Sequence, residues 1–458
     1  MAGQFRYRNQ KLISSSMNHF YLNEEFYNKI RGGESKRKKG LNIHPFLEAI
    51  TWFLIKRIGK LSNILHYHFE LFFIISCKII RILKMKLIKT FCLLMFLSTT
   101  PITIYAQSAL SEILRTFPNW KTNFDKKIIE LDELMSGGPP KDGIQAIFKP
   151  KFETQEHAGE WLDDKEPVIG LELNGEARAY PLSILIWHEI ANDKIGDVPV
   201  VVSFCPLCYS ALVYDRRVRG VTPFFGVSGL LRNSDMVMYD NVTESFWQQF
   251  TGEAIVGDMV GEILELIPTQ IISFKQFKDA YPDGDVLSKD TGYERRYGQN
   301  PYVGYDDIDQ RPFLFRGDID ERLPPNEKVI AIKQGDINKA YPYSITKEEH
   351  VINDDINGTV VVIFHGEGAV SALDDGTIAD SKEVGSTGVF NPEVDGVTLT
   401  FKYEMGYFID NESGSKWDVT GKAIDGKYTG KNLKRIKHGD YFAFAWFAFR
   451  PDTEIYHK

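Results

Sequence analysis

Val168-Ile169, Ala179-Tyr180-Pro181 and Asn192-Asp193 return as Val329-Ile330, Ala340-Tyr341-Pro342 and Asn353-Asp354, every match at an offset of 161. One residue drops out before the next apolar run, where Val200-Val201-Val202-Ser203-Phe204 meets Val360-Val361-Val362-Ile363-Phe364. Farther on, Asp240-Asn241, Ser245 and Trp247 recur as Asp410-Asn411, Ser415 and Trp417 at an offset of 170. Thr251-Gly252 through Gly257 then matches Thr420-Gly421 through Gly426, and Pro282-Asp283 matches Pro451-Asp452, at 169. Matches kept in order over more than a hundred residues point to an internal repeat. The expectation is two pseudo-symmetric copies of one fold, residues 150–290 and 312–458, joined by a connector over 291–311.

Within the first copy, short β-branched and aromatic runs are punctuated by Gly, Asp and Asn, the pattern of strands and turns. Strands are expected at Val168–Leu173, Ala177–Tyr180, Val198–Phe204, Ala211–Tyr214, Pro223–Val227 and Met236–Tyr239, with Asn233-Ser234-Asp235 as a turn. Leu182 to Ala191 is the main helical stretch, and spaced apolar residues suggest a helical lead-in within 107–149, chiefly Ser108 to Gly138. The fold class is therefore α+β, strand-dominated, rather than a regular βαβ alternation. A copy this small leaves apolar surface for the other to cover. The aromatic run Tyr441 to Phe449 is assigned to the core or to the seam between copies.

The chain has 458 residues and a formal charge of −8, but that figure averages two unlike pieces. Residues 1–106 carry 17 Lys and Arg against 5 Asp and Glu, leaving −20 over the following 352 residues. A phosphate backbone is bound mainly through Lys and Arg, so no nucleic acid partner is expected for the acidic part. From Met85, a basic start, an apolar core at Phe91–Leu97 and a small residue at Ala106 read as a secretory signal peptide, with cleavage after Ala106. That implies a periplasmic or secreted protein with no stable membrane span after the leader. Residues 1–84 are then an over-extended or disordered N-terminus, with Met85 the true start.

Beyond the leader, which takes Cys77 and Cys92, two cysteines remain, paired as Cys205-Pro206-Leu207-Cys208 at the end of an apolar strand. So short a loop adds little stability as a disulfide. A redox dithiol or a pair of thiolates for a soft metal are the chemical alternatives. His188, on the preceding helix, and Met238 or Met236, on the strand after the turn, are candidate neighbours. In the second copy Cys205 becomes His365 and Cys208 becomes Gly368, while His188 becomes Glu349 beside His350. The chemistry is accordingly assigned to the first copy. Glu189, Glu244 and Glu253 are acidic candidates for proton transfer or support. No Gly-rich phosphate loop, G-x-S-x-G elbow or H-E-x-x-H helix occurs, which removes support for nucleotide binding, serine hydrolysis by that route and zincin chemistry.

The run Val168–Tyr214 with its Cys205–Cys208 pair, Ser234-Asp235-Met236-Val237-Met238-Tyr239-Asp240 and Thr251-Gly252-Glu253 resembles the bacterial and archaeal DUF3179 family. The resemblance extends through Arg296-Tyr297-Gly298 and Asn300-Pro301-Tyr302 to Phe449-Arg450-Pro451-Asp452-Thr453. It carries no activity, and it begins downstream of Met85. The residues alone favour an exported soft-metal protein binding a copper ion, in preference to zinc, through Cys205, Cys208 and His188 with Met238 as a weak fourth ligand. A metal-free thiol–disulfide protein and a non-catalytic binding or scaffold module are the competing readings.

Overall fold

The computed structural model describes residues 120–458. The expected leader, residues 1–84 and the first part of the lead-in lie outside the described residues. Over 120–149 the expected helix does not form. A 3-10 turn at Leu131–Glu133 and a short strand at Met135–Ser136 replace it. The reason is competition from a sheet edge: Ile128 donates its N–H to the Ile255 carbonyl at 3.1 Å, and Leu131 and Leu134 bury against Leu230, Val237 and Phe246. Gly137-Gly138-Pro139-Pro140 then supplies poor helix formers.

The remainder is strand-dominated α+β. Two strands, β1 (Pro167–Leu173) and β2 (Glu176–Pro181), form a hairpin that leads into helix α1 (Leu182–His188). The helix is nearly all buried and ends earlier than the apolar spacing suggested, because Glu189 turns left-handed at φ 58°. There follow β3 (Ile190–Ile195), β4 (Val198–Cys205), β5 (Ser210–Asp215), β6 (Phe225–Arg232), β7 (Asp235–Asp240) and β8 (Phe246–Gln248). The half closes with β9 (Gln270–Ser273), α2 (Phe274–Ala280) and β10 (Asp285–Leu287). Ser273 caps α2 through a capping box with Gln276, which satisfies N–H groups that the first turn leaves open.

The same element order follows from residue 328: β11 (Lys328–Gln334), β12 (Ile337–Pro342), α3 (Tyr343–Glu349), β13 (Val351–Ile356), β14 (Thr359–Gly366) and β15 (Ser386–Asn391). Next come β16 (Phe401–Glu404), β17 (Tyr407–Asp410), β18 (Lys416–Trp417), β19 (Gly439–Phe442), α4 (Ala443–Phe449) and β20 (Glu454–Ile455). One sheet contains the order β9-β1-β2-β10 and another has β19-β11-β12-β20, each with two antiparallel pairings and one parallel one.

The repeated residues make repeated bonds. Tyr180 donates its hydroxyl to Asp193 at 2.6 Å, and Tyr341 to Asp354 at 2.7 Å. Asn192 exchanges two hydrogen bonds with the Phe225 backbone, and Asn353 does so with Phe401. Asp240 and Asp410 each accept an indole N–H at 3.0 Å, from Trp247 and Trp417, together with turn amides. Gly252 and Gly421 have positive φ, and a Cβ on either would sit within 2.7 Å of an aromatic ring, Tyr214 or Phe390. These contacts explain why Ala-Tyr-Pro, Asn-Asp, Asp…Trp and Thr-Gly are the residues that recur.

Two differences between the halves matter for the site. The tight four-residue link between β4 and β5, residues 206–209, is replaced, between β14 and β15, by residues 367–385. The β6–β7 hairpin is also longer than its counterpart. Aligned on Asp240 and Asp410, β16–β17 closes at Glu404 opposite Tyr407, the level where Leu230 faces Val237. In β6–β7 the pairs Leu231–Met236 and Arg232–Asp235 follow beyond that level. The added end places Asp235 against the cysteine loop. The aromatic run of α4 and β19 packs there too: Phe250 lies 4.6 Å from both the Tyr441 and Phe449 ring centres, and Phe442 donates its N–H to the Cys208 carbonyl at 2.9 Å.

Candidate functional site

Cys205 closes β4 and Cys208 precedes β5, with the turn between them held by the Cys208 N–H on the Cys205 carbonyl at 3.3 Å. Both thiols are free and buried. The strand ends are pinned by Gln249, which donates to the Ser203 hydroxyl at 2.9 Å and accepts from Ser210 at 2.7 Å. Asp235 arrives from the tip of the β6–β7 hairpin. Its Oδ2 accepts the Gln248 amide at 2.6 Å and the Phe250 N–H at 3.0 Å, whereas Oδ1, fully buried, has no hydrogen-bond partner. One donor atom from each of Cys205, Cys208 and Asp235 lies within 4.8 Å of the others. Among the His, Cys, Asp and Glu of the described residues, no other such group occurs.

Electrostatics at this cluster all run one way. Burial pushes both thiols up, Cys208 well above the ordinary thiol range. Burial holds the Asp235 carboxyl up to about 7 despite its hydrogen bonds, and burial with the Asp235 charge pushes Glu189 up to about 8. Four acids share one interior, and each is favoured in its neutral form until a cation is supplied. Reactive thiols need the reverse, an electropositive and partly exposed setting.

The histidine expected beside the cysteines is placed elsewhere. His188 faces the Gln145 carbonyl through Nδ1 and the Tyr297 hydroxyl through Nε2, both at 2.7 Å. A carbonyl only accepts, so Nδ1 carries the proton and Nε2 accepts from Tyr297. Burial and the Arg295 charge lower its pKa, consistent with a neutral ring. Both nitrogens are thus occupied by the chain segment around Gln145 and by the connector. Met236 is buried in the same core as the cysteines, and the Cys205 thiol donates to the carbonyl of Ser234, two residues before it, at 4.0 Å. Met238 is fully buried, paired across the sheet with Val227 and Trp247, and shares the main core with both cysteines.

The acidic candidates separate by surroundings. Glu244 is engaged by Lys141 at 2.8 Å and the Lys121 N–H at 2.7 Å, away from the thiols. Glu189 stands near Asp235 and Cys205 in charge interaction with both. Glu253 joins no such cluster. In the second half, His365 sits between the Thr346 hydroxyl at 2.8 Å and the Val384 carbonyl at 3.1 Å, and His350 stacks on Tyr403 at 4.0 Å. Both are structural histidines of that half. The connector roofs the cysteine loop: Tyr305 donates to the Leu207 carbonyl at 3.3 Å and accepts from the Phe313 N–H at 3.1 Å.

Asp235 is the residue that sequence reasoning missed, since Asn233-Ser234-Asp235 reads as a turn. The available signal was its place at the head of the apolar run Met236–Tyr239, where a carboxylate needs a reason to be buried. Residues 141–453, which include the three clustered side chains, match the model of a family described as a protein of unknown function (DUF3179). The chain belongs to the DUF3179 family. The match spans the connector and both halves, with Cys205, Cys208 and Asp235 inside it. No curated protein and no solved structure matches the chain.

Proposed function

We propose that this DUF3179 protein is an exported metal-binding protein whose ion is held by Cys205, Cys208 and Asp235. The supporting observation is the convergence of two thiols and a carboxyl within 4.8 Å in a buried site where Asp235 Oδ1 has no partner. Donors about 2.0–2.3 Å from one ion lie less than about 4–5 Å from each other, so this spread needs only side-chain adjustment to close on a metal. A cation also relieves the mutual destabilisation of the four buried acids.

The donor set favours zinc over copper. With His188 committed to Gln145 and Tyr297, the third donor is a carboxylate oxygen, which zinc accepts alongside thiolates and which suits Cu(I) poorly. Three protein donors leave one position for a water or a substrate atom; Met238, three residues along β7 from Asp235, projects from the opposite face of that strand. The metal-free dithiol reading is weaker, because both thiols are enclosed and no cation lowers their pKa.

Elemental analysis of full-length protein recovered from its native host tests the proposal. Zinc near one per chain is expected, lost in Cys205→Ser and reduced in affinity about 10–100-fold or more in Asp235→Asn. Metal retained in Cys205→Ser/Cys208→Ser, or metal-free protein with a readily reducible disulfide, would refute it. Sequencing the N-terminus of the same sample tests export: a mature end at Gln107 is expected, and one upstream of Met85 overturns the leader.

A further inference from the structure

Asp235 offers its two oxygens on unequal terms. Oδ2 accepts twice, from the Gln248 amide at 2.6 Å and the Phe250 N–H at 3.0 Å, while Oδ1 has no hydrogen-bond partner. A carboxylate saturated on one oxygen has only the other to give an ion. What keeps Oδ2 saturated lies one residue farther out. Gln248 ends β8 and is fully buried, and a side-chain amide can be turned either way about its last bond. Arg232, which closes β6 opposite Asp235, donates to Gln248 Oε1 at 3.4 Å. A guanidinium only donates, so it draws the amide oxygen to itself and turns the Nε2 hydrogens on Asp235.

Arg232 is itself held in place. Its Nε and one terminal nitrogen both reach Glu133 Oε2 at 2.8 Å, and its guanidinium lies 5.6 Å from the centre of the Phe449 ring on α4. Glu133 ends the 3-10 turn of the lead-in and also accepts the Glu130 N–H at 2.8 Å. An unbroken line of hydrogen bonds therefore runs from exposed Glu133 through Arg232 and Gln248 to the buried carboxyl. The second half has no such line. Gln248 is replaced there by Asp418, whose carboxyl turns back on Thr420 at 2.6 Å and on the Lys422 N–H at 3.1 Å. The shorter β16–β17 hairpin has no position for Arg232 or Asp235. Line and thiols occur together, in one half only.

We propose that Gln248, oriented by Arg232, is a positioning residue that restricts Asp235 to binding through Oδ1 alone and so holds the metal centre at four-coordinate geometry. The inference rests on the metal reading of Cys205, Cys208 and Asp235 and deepens it. One carboxylate oxygen and two sulfurs leave a single open position in a tetrahedral site. Removing the Gln248 donor frees Oδ2 to join Oδ1 on the ion, which raises the coordination number. Removing Arg232 frees the amide to present its oxygen to Asp235, and two acceptors face to face push the carboxyl out of place.

Full-length protein stripped with a chelator and reloaded with zinc or with cobalt tests this. Zinc affinity, measured by competition with a chromophoric chelator, is expected to fall about 10–100-fold in Gln248→Met and in Arg232→Met. It should return towards wild type in Arg232→Lys, which keeps a donor for Gln248 Oε1. Cobalt reports the geometry itself, because four-coordinate cobalt(II) absorbs strongly in the visible and five-coordinate cobalt(II) much more weakly. Wild type and Arg232→Lys should give the strong spectrum and Gln248→Met the weak one. A merely structural role would lower the unfolding temperature of the metal-free variants and leave the cobalt spectrum unchanged. A wild-type spectrum in Gln248→Met, or wild-type zinc affinity in both Gln248→Met and Arg232→Met, overturns the positioning role and leaves the metal centre standing. Failure of the wild type to bind either metal overturns the metal reading and this inference with it. If Gln248→Met does not fold, the arginine pair decides: equal zinc affinity in Arg232→Met and Arg232→Lys overturns the inference.

Discussion

Replacing Asp235 by Asn should change how the stability of the metal-free protein depends on pH. The carboxyl is enclosed among Cys205, Cys208 and Glu189, and its folded pKa is held up to about 7 by burial. In the unfolded chain an aspartate ionises near 3.9. Between those values the unfolded state has released the proton while the folded state retains it, so stability is greatest below about pH 4 and falls as pH rises through the folded value. A difference of about three pH units corresponds to about 4 kcal/mol lost by pH 7. Asp235→Asn keeps an oxygen for the Phe250 N–H and the Gln248 amide but cannot ionise. Urea denaturation followed by tryptophan fluorescence, with a chelator present and at pH steps from 4 to 8, should show wild-type stability declining relative to the variant up to about pH 7 and running parallel above it. Because the Asp235 charge helps push Glu189 up, Glu189 titrates lower in the variant, and the difference between the two curves reports the coupled Asp235–Glu189 pair. Adding zinc should reverse the wild-type slope, because the metal takes the place of protons on its donors. Parallel curves from pH 4 to 7 without metal would refute the reasoning about the buried carboxyl.

In the second half, His365 is held neutral between Thr346 and Val384, and burial lowers its pKa to about 4. Its depressed folded value means that stability present above the ordinary histidine range is lost as pH falls from about 6.5 to 4, by about 3 kcal/mol, and His365→Gln should flatten that acid limb in a denaturation series. Lys328 is buried with no hydrogen-bond partner on Nζ, which lies 3.9 Å over the Tyr209 ring and 4.0 Å from Asp306. Asp306 keeps Lys382 at 2.9 Å and Ser371 at 2.5 Å, so Lys328→Met strands no anion and should stabilise the protein by about 1–3 kcal/mol at pH 7; a loss in the same assay would show that the ammonium holds the fold together.

The strands of the first half were legible because they alternate or run apolar between Gly, Asp and Asn turns, and the observed spans of β1, β2, β4, β5 and β7 differ from the expected ones by about a residue or two at their ends. The end of α1 was less legible. Leu182 to Ala191 is apolar throughout its inner face, yet Glu189 breaks it because Phe204 needs the Glu189 carbonyl for β3–β4 pairing, at 2.8 Å. The lead-in failed for a similar reason: its apolar spacing is helical, but an open strand edge at Ile255 offered backbone partners that a lone helix could not match.

The candidate centre divides along the same line. Local sequence determined the cysteine pair, its position at a strand end and its restriction to the first half, since spacing, strand pattern and the comparison of Cys205 with His365 are properties of neighbouring residues. Tertiary structure alone decided the third donor and the fate of the histidine. Asp235 reaches the thiols because β6–β7 extends past the level at which β16–β17 turns, and His188 is withdrawn because Gln145 and Tyr297, far away in the chain, satisfy both its nitrogens. Periodicity reports which side of a strand or helix is buried. What a buried polar group meets there depends on segments that arrive from elsewhere, and on the requirement that each of its hydrogen-bonding atoms find a partner or a cation.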